Sequence, residues 1–158
     1  MSNQGRKYAN RDEFLASVAN ANARELYVYL FDYVDSREGL NSNLGYKGFS
    51  VNVIKPHNPN ANVIPLFWAW GNDVYYDSWS HCIMPQYKRM GNAGASVYAV
   101  DDYKSEINRL EFFTSSPDNP KWELTADSTK NQMQRLFAVI DKMIERMHKD
   151  LLSAISVI

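Results

Sequence analysis

A chain of 158 residues with 45% hydrophobic and 22% charged residues has the make-up of one domain, 1–158, that builds its own core. Its single cysteine, Cys82, excludes an internal disulfide framework and points to a reducing, cytoplasmic setting. A formal charge of −1 gives no general pull toward nucleic acid, and no run approaches the 18 apolar residues of a membrane span. Aromatics are the departure: ten Tyr, seven Phe and four Trp suit a sheet surface or a recognition surface.

In chain order, residues 1–9 are polar and read as a loose terminus. Asn10 followed by Glu13 has capping-box spacing, and Phe14, Val18 and Ala21 continue at helical spacing, so a first helix is expected over about 11–22. Residues 26–34 (LYVYLFDYV) are dense in β-branched and aromatic side chains and read as a strand, with a continuation of the first helix left open. Residues 35–48 read as a turn region. Phe49, Val51 and Val53 then alternate with Ser50, Asn52 and Ile54, the pattern of a half-buried strand.

Residues 55–62 (KPHNPNAN) break the chain before a strand over 63–70. There Ile64, Leu66, Trp68 and Trp70 share one face. Pro65 has no amide hydrogen for a sheet ladder, so either a bulge at Pro65 or a strand beginning at Leu66 is expected. Gly71-Asn72-Asp73 turns the chain and residues 74–79 return as a hairpin. Residues 80–95 read as a long loop and 96–100 as a short strand. Asp101 and Asp102 are placed to cap a helix bearing Tyr103, Ile107 and Leu110. Residues 114–120 break it, and 121–124 fit an edge strand.

The last thirty residues carry the clearest pattern. Met133, Phe137, Ile140, Ile144, Met147, Leu151, Ala154 and Ile158 recur at steps of four and three, with Thr129 and Gln132 in capping-box spacing. A helix over 129–158 would run roughly 45 Å, more than the domain needs to cross its own core. The whole order predicts an α+β fold: an antiparallel sheet of about four to five strands, with an N-terminal helix, a short helix and a long C-terminal amphipathic helix on one face.

Chemistry is sparse by comparison. His57, His81 and Cys82 lack the partners and spacing of a zinc motif. Adjacent His81 and Cys82 would point apart on a strand, which weakens them as a nucleophile pair. Asp73, Asp77, Asp101, Asp102, Glu106 and Glu111 could supply an acid–base pair, but turns, caps and a Glu106–Arg109 pair account for most of them. No glycine run forms a phosphate loop, and neither cofactor nor metal is expected.

Two surfaces remain as candidates. An aromatic group of Trp68, Trp70, Tyr75, Tyr76, Trp79 and Tyr87, flanked by Lys88 and Arg89, reads either as core or as a recognition face. A seam of Ile140, Ile144, Met147, Leu151, Ile155 and Ile158 offers self-association, as a homodimer in the simplest case. The sequence therefore predicts a non-catalytic module that binds a protein partner, of the inhibitor, immunity or accessory type. A binder of single-stranded nucleic acid ranks second, because Lys47, Lys88 and Arg89 are few for tracking phosphates. A small hydrolase or nuclease using His57, His81 or the acids ranks third.

Overall fold

The computed structural model describes residues 7–56, 63–71 and 81–156, with the backbone alone for 153–156. Among these residues the elements run α1 (Arg11–Ser17), α2 (Ala21–Asp35), β1 (Leu40–Leu44), β2 (Gly48–Val53), β3 (Ile64–Trp70), β4 (Cys82–Pro85), α3 (Tyr87–Asn92), α4 (Val97–Asn108), β5 (Trp122–Glu123) and α5 (Lys130–Ser156). The strands form one antiparallel sheet in the order β1-β2-β3-β4-β5. This is an α+β fold with an N-terminal helix and a long C-terminal one.

Two asparagines set the first two helices. The Asn10 side chain accepts the Glu13 amide and caps α1; the Asn20 side chain accepts the Ala23 amide and caps α2. The strand expected over 26–34 is thereby corrected to the body of α2. Helical spacing collects Leu26, Leu30 and Tyr33, and Tyr27, Phe31 and Val34, as buried residues. Strand alternation would have put Val28 beside Leu26 and Leu30, yet Val28 is 41% exposed. A cap and a buried face override local β propensity here.

Three further expectations are corrected. Within 35–48, β1 forms, despite its polar LNSNL sequence, because five of its residues pair with β2. Within 80–95 lie β4 and α3 rather than a loop. Residues 97–100 are helical: the Ser96 side chain accepts the Ala99 amide and starts α4, so Asp101 and Asp102 lie inside it. The hairpin expected over 74–79 lies outside the described residues, among which β3 is flanked in the sheet by β2 and β4.

The bulge expected at Pro65 is present. Val51 pairs with Phe67 and Asn52 with Pro65, so Leu66 is the extra residue. Its carbonyl accepts from the Gln86 amide and from the Tyr103 hydroxyl, which ties α3 and α4 to the sheet. Thr129 and Gln132 form the expected reciprocal cap on α5.

Cross-strand register defines the two faces of the sheet. Leu44, Phe49, Ala69, Ile83 and Trp122 stand opposite one another in one row across all five strands. Phe49 in that row meets Phe14 at 5.1 Å and Phe31 at 4.3 Å between ring centroids, so α1 and α2 cover this face. Helix α5 lies against α2 and α4. Phe137 stacks on Tyr33 at 3.9 Å, and the His148 ring nitrogen lies 2.9 Å from the Ile54 carbonyl.

Ion pairs stitch the helices on their outer sides. Arg11 pairs with Asp35, Arg37 with Asp141 and Arg135 with Glu111. The Arg135 guanidinium holds the Glu111 carboxyl down from 4.5 to about 2, and Arg11 lowers Asp35 in the same direction. Burial alone would raise Asp141, but Arg37 and the Tyr33 hydroxyl outweigh it and leave that carboxyl below its ordinary value. Because these folded-state values lie below the unfolded ones, the stabilisation is complete above about pH 4.5 and is lost as pH falls toward 2. A melting series is expected to show a shallow decline through that window, since the carboxylates are largely exposed and solvent-screened. Glu111→Gln removes its share of the slope.

Candidate functional site

The other face of the sheet carries a different row. Asn43, Ser50, Trp68 and Met84 stand opposite one another across β1 to β4. Trp70 joins Trp68 on that face by the two-residue period of a strand. The two indoles meet edge to face, with ring centroids 5.7 Å apart and planes at 63°. Both are half-buried.

Local backbone geometry places them. The Tyr27 hydroxyl donates to the Trp70 carbonyl at 2.6 Å, and the Gly71 amide to the Lys47 carbonyl, fixing the end of β3. Gly45 lies in the turn between β1 and β2, where any Cβ would sit 2.6 Å from the Trp68 ring. A glycine there lets the six-membered edge of the indole lie flat on the turn.

These indoles form the floor of a hollow of about 400 Å³. Its walls are the β1–β2 turn with Leu44, Gly45, Tyr46 and Lys47, the start of α3 with Gln86 and Arg89, and Lys7 from the N-terminal segment. Three cations line it. Among the described residues no aspartate or glutamate does. Tyr46 is 51% exposed at the rim, and the Trp68 Nε1 hydrogen is buried without an acceptor among the described residues. A hollow of indole faces, cations, amides and a hydroxyl is suited to a ligand that joins a flat or apolar group to negative charge.

Of the aromatic face expected from sequence, Trp68, Trp70 and Arg89 come together here. Tyr87 does not: it is buried edge-on to Tyr103, with Lys104 over its ring. Lys88 is exposed on α3 and outside the lining. Tyr75, Tyr76 and Trp79 lie outside the described residues. Lys7, Asn43, Tyr46, Ser50 and Gln86 were not anticipated. Against the loose terminus expected over residues 1–9, Tyr8 is buried, with its amide donating to the Gly45 carbonyl and its hydroxyl to Ser17.

On the seam, Ile140 and Met147 are buried inside the chain's own core, where Ile140 is fully enclosed. Ile144 and Leu151 are half-buried, Leu152 is 52% exposed, Ile155 belongs to α5, and Ile158 lies outside the described residues.

Several of the residues weighed for catalysis have structural partners among the described residues. His81 has φ 58 and bridges β3 to the β5 end: its amide donates to the Gly71 carbonyl, and its carbonyl accepts from Leu124. Burial lowers its imidazole pKa and pushes the Cys82 thiol up to about 12. Cys82 is therefore expected to resist iodoacetamide at pH 8 in the folded chain and to react on unfolding, as thiol counting by mass would report. Asp102 pairs with Arg146, Glu106 with Arg109 and Lys142, and Glu111 with Arg135. His57, Asp73 and Asp77 lie outside the described residues. Among the described residues no three His, Cys, Asp or Glu side chains converge as metal ligands, and no helix is long and apolar enough to cross a membrane.

A second cavity, about 610 Å³, lies between the end of α4 and the 110–120 segment. It has one lysine, Lys104, one carboxylate, Glu111, and several hydroxyls, with no comparable aromatic floor.

Fold and hollow together describe an α+β domain with one sheet face under helices and a cationic, tryptophan-floored concavity on the other. Compared with known proteins, the chain matches no family model, no curated protein and no solved structure.

Proposed function

We propose that this chain is a non-catalytic recognition module that binds a protein partner through the Trp68–Trp70 hollow, in the manner of an inhibitor, immunity or accessory protein. The observation that carries this reading is the convergence of two half-buried tryptophans, an exposed tyrosine and an arginine in one concavity. Trp, Tyr and Arg are the residues that dominate binding energy at protein interfaces. The end of α5, with Leu152 on its surface, provides a smaller second surface for self-association.

Affinity capture with the tagged chain from its native host, followed by sedimentation of the recovered complex, tests both parts. A stoichiometric protein partner is the expected result. Recovery of a clean monomer with no bound protein counts against the reading.

The same cations would suit phosphates, which gives single-stranded nucleic acid its place as the second reading. A drop in tryptophan emission on adding an oligonucleotide, relieved by salt, would favour it.

A further inference from the structure

We infer that the hollow accepts an acidic segment of the protein partner carrying one large apolar side chain, which seats against Trp68 and Trp70. This deepens the reading above and rests on it. Charge complementarity carries the inference. Lys7, Lys47 and Arg89 line the hollow, and among the described residues no carboxylate does. Elsewhere Arg11, Arg37, Arg109, Arg135 and Arg146 each pair with a carboxylate, and Arg24 donates to the Val18 carbonyl. Lys7 and Arg89 make no such pair among the described residues. A chain of 17 cations against 18 anions thus leaves two of its uncompensated cations at this one concavity. A carboxylate held there beside the indoles is less hydrated than in open water, so its pairing with a guanidinium is stronger.

Ring geometry separates a peptide from a nucleic-acid strand. Successive bases stack on platforms that face the same way, whereas the two indole planes meet at 63°. A single apolar side chain has no such requirement and fills the angle between them. The Asn43 and Gln86 amides and the Ser50 hydroxyl then stand at the wall to bond an extended backbone.

The test uses the full chain and a defined probe, acetyl-Glu-Glu-Phe-Glu-Glu-amide, read by tryptophan emission at low salt. The peptide is expected to give a saturable change. Its dissociation constant rises about tenfold or more in Arg89→Glu, in Trp68→Ala and in half-molar salt. Arg89 is exposed on α3, so its substitution leaves the fold intact, which circular dichroism verifies. Equal binding of the peptide with Gln in place of Glu overturns the acidic assignment while leaving the hollow as a partner surface. Tighter binding of a ten-thymidine strand, lost in Trp68→Ala, overturns both this inference and the protein-binding reading. No emission change with the acidic probe, while a captured partner still depends on Trp68, overturns this inference alone.

Discussion

Replacing Trp68 and Trp70 together by alanine is expected to weaken partner binding by roughly 100-fold or more, the scale set by removal of two central aromatic anchors. The fold should survive, because both indoles lie on the face away from α1 and α2 and are half-exposed. Titration calorimetry with the captured partner, alongside far-ultraviolet circular dichroism, separates the two effects. Undiminished affinity with an unchanged spectrum would remove the hollow from the interface. A smaller probe of the same contact is Gly45→Ala, whose methyl would meet the Trp68 ring at 2.6 Å and tilt it off the turn.

Phe49→Ala is expected to have the largest effect on stability, about 3–5 kcal/mol. Phe49 is fully buried, and three rings converge on it: Phe14 at 5.1 Å, Tyr27 at 5.8 Å and Phe31 at 4.3 Å. Those rings come from α1 and α2, which cannot collapse into the vacated space without leaving the sheet. At about 2–4 °C per kcal/mol for a domain of this size, the thermal midpoint should fall by roughly 6–20 °C. A loss below about 1 kcal/mol in chemical denaturation would mean that the Phe14–Phe31–Phe49 cluster does not hold helices to sheet as described. The effect should be independent of partner binding, since no ring of this cluster lines the hollow.

Fold class was legible because three strong signals are local: the Asn10 cap, the alternation of β2, and the 3.6-residue seam of α5 with its Thr129–Gln132 cap. The errors also have local causes. Residues 26–34 have strand composition, and only the Asn20 cap together with the buried ring cluster makes them helical. β1 is invisible by composition because LNSNL has too few apolar residues to alternate; pairing with β2 creates it. Missing β1 concealed the hollow, whose turn wall and outer row depend on that strand.

Trp68 and Trp70 were correctly grouped by strand period, but their setting required the register that places Asn43 and Ser50 beside them. Lys7 lies in a segment whose polar composition reads as loose, yet the Tyr8 amide ties that segment to Gly45. A signal was available there: Tyr8 stands just before the Asn10 cap, close enough for its ring to pack against Phe14. The long α5 seam suggested more apolar surface than one chain could use. Packing against α2 and α4 consumes its middle, and among the described residues Leu152 is its exposed large apolar side chain.

Hydrogen exchange of the chain, alone and with its captured partner, tests the central claim most directly. Protection on binding is expected to rise in 43–50, 68–70 and 86–90, the segments that wall and floor the hollow, and to stay unchanged along 130–147. Protection confined to the end of α5, with those hollow segments unaltered, would contradict the account.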